Sequence, residues 1–385
     1  GMPRVLYGNF DFEHELTTAG YNRSRQLERL NAEMSTHLLA LSDDGDFLFY
    51  PGNAPQEFLL AAAAAGFSDV RAIERSSEVT ATVGLLPWGW SRRAIDFADS
   101  QDWSVDAPPA EAVARVNSRG FSFDLEGRQN SAIPGAVQVD SLDCLEKAIL
   151  LSAELWHCHK ADFGWLLKAE FGMSGRERVS GRGSELNDSQ ANWIRRRLKS
   201  DGRLYFEPRV ESLGEFSTQW SIVDSDLSVS GMVEPELVGT TQLVVDHSGQ
   251  YVGSILVDPS SVETPMVGDT EFCMTQGMLS QVLSSANSVA KNAQQLGYRG
   301  PLGVDSMVYF GPDGGPELRS VQDVNARFTM GRIALEWFRR FAKSDRPAWL
   351  LVPGDWLNDR EDTATLDNPV KRLTSPHMLA GQAVR

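Results

Sequence analysis

Residues Gly300 to Gly331 read GPLGVDSMVYFGPDGGPELRSVQDVNARFTMG, and this stretch decides how the rest of the chain is understood. Leu302 to Phe310 is rich in β-branched and apolar residues, Gly311 to Gly315 (GPDGG) carries turn residues, and Pro316 to Arg327 returns as a second strand. Successive strand side chains point to opposite faces, so Asp323, Asn325 and Arg327 share one face. Folding at the glycines sets Asp305 roughly opposite Asp323, a register that a slip of one residue would undo. Two carboxylates, an amide oxygen and a guanidinium then converge on one patch. Mg²⁺ takes hard oxygen ligands, one or two of them carboxylates, with phosphate and water completing its shell. An adjacent arginine can hold a developing anion. The competing reading is a plain antiparallel hairpin whose polar face meets water.

LGVDSMVYF followed by VQDVNARFTMG resembles the metal-binding end of the ATP-grasp enzymes, in which an Asp on one strand precedes Glu-x-Asn-x-Arg on the next. The resemblance implies that Asp305, Asp323 and Asn325 are ligands of one or two Mg²⁺ ions, with Mn²⁺ as a substitute. It makes Arg327 the anion-stabilising residue. Asp323 stands where the family has Glu, and its shorter arm puts bidentate reach to two metals in question.

Upstream, Gly164 to Phe171 (GWLLKAEF) reads as a strand bearing Lys168, and Gly172 to Gly183 (GMSGRERVSGRG) as a glycine- and arginine-rich loop. Glycines let backbone N–H groups approach phosphate, and lysine supplies a point charge. No Gly-Lys-Ser/Thr opens a helix, so this is not a P-loop. A lysine strand followed by such a loop is similar to the ATP-grasp phosphate cover. By that resemblance Lys168, Ser174 and Gly175 contact ATP, and Arg176, with Arg178, bears on the γ-phosphate or the acyl phosphate. Arg203 to Val210 (RLYFEPRV) resembles the adenine hinge. That implies Glu207 as acceptor from the adenine amino group, the Arg209–Val210 backbone on the ring edge, and Glu215 on the ribose, with Glu211 competing for this last role. Asn117 to Phe121 (NSRGF) stands where the family places its first phosphate-binding lysine. There Arg119 either neutralises phosphate through its planar fork or is a surface arginine.

The 385-residue length exceeds one comfortable core. Residues 1–110 alternate short strands and helices, including strands at Arg4 to Tyr7, Thr36 to Leu41, Phe47 to Tyr50 and Asp69 to Ile73. They read as a small Rossmann-like parallel α/β layer with pocket loops at Gly8 to Phe10 and Leu86 to Trp90. Trp88 and Trp90 read as core or contact residues first. Residues 111–205 form the first ATP-binding lobe. Residues 206–345 form the second, an antiparallel meander followed by a long helix over Thr270 to Leu296, the hairpin, and a helix from Thr329 to Lys343. Residues 346–385 are a polar extension with one apolar piece, Ala348 to Val352. The fold class is therefore α/β plus α+β: an ATP-grasp fold of two lobes preceded by an α/β domain.

A net charge of −16 argues against a nucleic-acid backbone or an anionic membrane as partner. Three cysteines in no metal or disulfide spacing favour a reducing cytoplasm. No apolar run approaches a bilayer span, and no signal peptide opens the chain. The activity the resemblance implies is ligation. ATP phosphorylates a small-molecule carboxylate, and an amine displaces phosphate to give an amide; homodimers are common among the enzymes it resembles, and the sequence leaves the oligomeric state open. The alternatives are an ATP-grasp kinase and a nucleotide-binding member without turnover.

Overall fold

The structure, a computed structural model, describes the chain except residues 18–19, 53–55, 80, 173–176, 224–232, 246–250, 267–271, 343–346, 353–370, 374–380 and 385. Four short apolar strands begin it: β1 (Arg4–Tyr7), β2 (Phe47–Phe49), β3 (Arg71–Ile73) and β4 (Gly84–Pro87). They are parallel, in the order β3-β2-β1-β4. Val5 and Leu6 are fully buried, as strands covered on both faces require. The connections carry α1 (Phe12–Thr17), α2 (Arg25–Ser35), α3 (Gln56–Ala64) and α4 (Arg92–Ser100). Ser24 and Ser91 cap α2 and α4 by accepting from the Leu27 and Ala94 amides. Thr36–Leu41, expected as a strand, is a 3₁₀ helix that prolongs α2. Its Thr36 amide still donates to Glu33, and residues Thr36 through Ala40 are all buried, so the apolar run fills a core without joining the sheet.

The next segment holds α5 (Ala110–Val116), α6 (Arg119–Gln129), β5 (Val137–Val139), α7 (Leu142–Leu155), β6 (Gly164–Lys168), β7 (Arg178–Arg182), α8 (Asp188–Asp201) and β8 (Leu204–Pro208). Its antiparallel sheet runs β5-β8-β6-β7. Trp165, Leu167 and Phe206 on one face pack against Ile194 of α8 and Ile149 of α7. Alternation leaves Leu166 and Lys168 on the other face. The sequence predicts a loop from Gly172 to Gly183, but its second half is strand β7. A Cβ on Gly181 would lie 2.0 Å from the Trp165 ring, so that glycine serves packing. Ser174, Gly175 and Arg176 lie outside the described residues.

An eight-stranded sheet follows, built from β9 (Ser212–Ile222), β10 (Glu236–Val245), β11 (Tyr251–Val257), β14 (Gly300–Phe310), β15 (Pro316–Asn325), β16 (Ala348–Val352), β17 (Lys371–Leu373) and β18 (Gly381–Val384). Its order is β15-β14-β9-β10-β11-β16-β18-β17. A two-stranded ladder, β12 (Glu263–Pro265) with β13 (Cys273–Thr275), precedes helix α9 (Gln276–Gln295). The long helix therefore starts later than its pattern predicts, capped by Thr275. Helix α10 (Met330–Phe341) follows β15 and is capped by Thr329. Residues of α9, α10 and the large sheet share one core with residues of α3, α5 and α6.

Candidate functional site

The hairpin β14–β15 has the register its sequence predicts. Asp305 pairs with Asp323 and Gly303 with Asn325. Asp305 Oδ1 accepts from Ser217 Oγ (2.6 Å), and its Oδ2 accepts from Asn325 Nδ2 (3.1 Å). Asn325 Oδ1 accepts in turn from Arg327 Nη2 (3.0 Å). The pairing shifts between Asp305 and Met307, so that Met307 faces Arg319. This irregularity brings two consecutive residues, Gln322 and Asp323, into the same cleft, which strict alternation forbids. Burial and the neighbouring Asp323 charge push the Asp305 carboxyl up to about 7. Two carboxylates held side by side in this way fit a divalent cation, which would let both ionise. No group of three or more His, Cys, Asp or Glu side chains is placed to hold a metal among the described residues. Two carboxylates and an amide oxygen suit Mg²⁺, which draws its remaining ligands from phosphate and water.

The facing wall comes from β6, β7 and α6. Lys168 points into the cleft and forms a short ion pair with Glu207 Oε1. Glu207 Oε2 lies 3.1 Å from Arg319 Nη2, and Arg319 makes a second, forked pair with Glu126. The four residues form a row of alternating charge, Glu126–Arg319–Glu207–Lys168, that runs inward from the cleft, with Arg319 and Glu126 fully buried. Burial alone would raise the Glu207 carboxyl, but Arg319 and Lys168 bring it down to about 2. Arg119, the first residue of α6, lies 3.2 Å from Asp323 Oδ1 and donates to the Gln322 carbonyl. It faces the cleft and not the surface. Arg178 of β7 completes this wall, while Glu215 of β9 lines the opposite side, paired with Met307, and burial raises its carboxyl.

The third wall belongs to the parallel layer, at the C-terminal ends of β1 and β4 where α/β sheets bind ligands. The Phe10 and Trp88 rings pack tilted at 32°, with centroids 4.5 Å apart. Glu13, the second residue of α1, accepts from Arg327 Nε (2.6 Å), and the Arg327 guanidinium lies 5.7 Å from the Trp88 ring. Trp88 is thus both buried, as expected, and a lining residue. The three walls enclose a cleft of about 690 Å³.

Asp305, Asp323, Asn325, Arg327, Arg119, Lys168 and Glu215 all line that cleft. Glu207 stands behind Lys168 with both oxygens in ion pairs. Arg209 and Val210 line a second hollow of about 670 Å³, with Trp156, Gly164, Arg182 and Glu211. Glu211 is therefore separate from the Lys168 cleft, and Glu215 is not. The sequence reading missed Glu13, Ser217, Arg319 and Glu126. Glu13 could have been flagged by its place just after β1, beside the loop already singled out. Arg319 offered one signal, a lone arginine among apolar strand residues.

This arrangement, two lobes closing on a carboxylate-bearing hairpin behind a parallel layer, is the ATP-grasp fold. No protein-family model matches the sequence, and no curated protein matches it. Solved structures do. The chain is similar to N5-carboxyaminoimidazole synthetase from Staphylococcus aureus, with a TM-score of 0.53 at 8% identity over 100% of this chain and 92% of that one. It is similar to the biotin carboxylase of Campylobacter jejuni in its β-γ-ATP complex, with a TM-score of 0.56 at 10% identity over 100% and 87%. The biotin carboxylase domain of Hydrogenobacter thermophilus 2-oxoglutarate carboxylase, a dimer with MgADP, ADP and bicarbonate, matches with a TM-score of 0.52 at 13% identity over 99% and 85%. No helix among the described residues is long and apolar enough to cross a membrane.

Proposed function

We propose that the protein is an ATP-dependent ligase that activates a small-molecule carboxylate as an acyl phosphate and joins it to an amine. The observation that carries this reading is the single cleft shared by Lys168 and Arg119 on one wall and Asp305, Asp323, Asn325 and Arg327 on the other. Lys168, Arg119 and Arg178 neutralise a triphosphate, and Glu207 keeps the Lys168 ammonium charged and aimed. The Arg209 amide is spent on the Gly164 carbonyl (2.9 Å), which leaves the Arg209 carbonyl and the Val210 amide for a base edge. Asp305, Asp323 and Asn325 would hold Mg²⁺, which when bound neutralises phosphate oxygens.

In the first step a carboxylate oxygen bonds to the γ-phosphorus as the bond to ADP breaks. In the second, the amine nitrogen bonds to the acyl carbon, the phosphate leaves, and the nitrogen gives up a proton. Phosphoryl transfer asks the protein mainly for position and charge. Arginine has five N–H donors. Arg327 spends three of them, on Glu13, the Phe328 carbonyl and Asn325, and the remaining two can hold the tetrahedral oxyanion.

Incubation with Mg-ATP, pooled carboxylic acids and hydroxylamine tests this. Carboxylate-dependent ADP release together with a hydroxamate supports the ligase, because hydroxylamine traps an acyl phosphate. ADP release with alcohols and no hydroxamate would mean a kinase. The Arg119–Asp323 contact favours a second reading, a nucleotide-binding protein without turnover, since a guanidinium already partly neutralises that carboxylate. ATP binding with no ADP from any acid and amine combination would favour it.

A further inference from the structure

The cleft has two chemically different ends. The end between the ATP-binding walls carries Lys168, Arg119, Arg178, Asp305 and Asp323. The other end is lined by Phe10, Trp88, Met34, Tyr251 and Leu351, from five separate parts of the chain. Among the described residues, the charges lining this end are Glu13 and Arg327, which pair with each other. The Tyr251 hydroxyl is taken up by Ser254 Oγ (2.8 Å). Apart from the two Arg327 donors left at the junction of the two ends, the described residues of the apolar end offer an incoming charged group no free partner.

We infer that the acceptor carboxylate has an apolar tail, branched-alkyl or aryl. The tail lies against the Phe10–Trp88 pair, Met34 and Leu351, and the carboxylate lies at Arg327, where the two ends meet. This rests on the ligase reading. Apolar surface gains from leaving water on such a wall, whereas an ionised tail would lose its hydration with nothing to replace it. The Phe10 and Trp88 rings, already in contact, present a ready aromatic surface. Arg327 is fixed by Glu13, Asn325 and the Phe328 carbonyl, so it can meet a carboxylate without being ordered first.

Binding measurements separate this inference from turnover. Titration of the full chain, with Mg²⁺ and a non-hydrolysable ATP analogue present, would use 4-methylpentanoate and 3-phenylpropionate against succinate and 6-aminohexanoate, by calorimetry. The apolar acids should bind at least about tenfold more tightly than the two with charged tails. Met34→Glu and Leu351→Glu, placed on two different elements, should each remove that preference while the affinity for the ATP analogue stays within about twofold. The inference is overturned if a charged-tail acid binds as well as the apolar ones, if no acid binds, or if both variants keep the preference. Should the preference appear while no hydroxamate forms from any acid, the ligase reading fails and the pocket assignment survives.

Discussion

Asp323 and Asn325 sit in the cleft on the edge strand of the large sheet, and neither contributes to the apolar core. Replacing either by alanine should lower ATP-dependent hydroxamate formation at least about a hundredfold and weaken Mg-ATP binding, because second-sphere and direct metal contacts typically carry effects of tenfold to a hundredfold or more. Thermal unfolding without nucleotide should change little. A collapse of the unfolding temperature in calorimetry would make these side chains structural. Arg319 is the opposite case. It is buried between two carboxylates, Glu126 and Glu207, so Arg319→Met leaves Glu126 with no cation and should cost about 3–5 kcal/mol in urea unfolding. Adding Glu126→Leu should restore most of that loss, since Glu207 keeps Lys168. Equal stability of the single and double variants would count against the row as an electrostatic unit.

At the scale of elements, a directed series of hydrogen bonds ties the start of α10 to the candidate metal ligand. Thr329 Oγ1 accepts from the Arg332 amide and donates to Gln219 Oε1 (2.7 Å). Gln219 Nε2 donates to Ser217 Oγ (2.7 Å), which donates to Asp305 Oδ1 (2.6 Å). Thr329→Val keeps the shape and removes both roles. It should cost about 1–2 kcal/mol as a lost cap and raise the Mg²⁺ concentration needed for half-maximal nucleotide binding several-fold. An unchanged Mg²⁺ requirement would mean that the series does not orient Asp305. None of this was legible in the sequence, because Ser217 and Gln219 lie on β9, Asp305 on β14 and Thr329 at the start of α10, and side chain–side chain bonds leave no periodic trace. The hairpin was legible, since its turn residues and alternation are local. Thr36–Leu41 was misread for a related reason: a short run of apolar residues looks alike in a buried strand and a buried helical turn. The Gly172–Gly183 stretch hid strand β7 because its glycines and arginines have low strand propensity, and pairing with β6 overrides it.

The molecule as a whole depends on how the parallel layer meets the large sheet, and His37 lies at that meeting. It is fully buried in the 3₁₀ turn after α2, and its ring stands edge-on to Trp349 of β16 with centroids 5.9 Å apart. A carbonyl can only accept, so Nδ1 carries the proton and donates to Met34 (2.9 Å). Nε2 has no hydrogen-bond partner among the described residues. A second proton there would place an unpaired charge in the core, and burial accordingly lowers the imidazole from its ordinary 6.5 to about 4. The unfolded chain takes up that proton as pH falls through 6.5, while the folded chain refuses it until about 4. The folded state therefore loses stability between those values as the solution is acidified, and nothing is lost above 6.5. At pH 5 the penalty amounts to about 2 kcal/mol relative to pH 7. His37→Asn retains a donor for the Met34 carbonyl and cannot titrate. Urea midpoints of the two proteins at pH 7 and pH 5 isolate the effect, because every other carboxylate and histidine is common to both. The wild type should lose about 2 kcal/mol more than the variant over this interval; equal losses would show that the interior around Trp349 admits the charged ring.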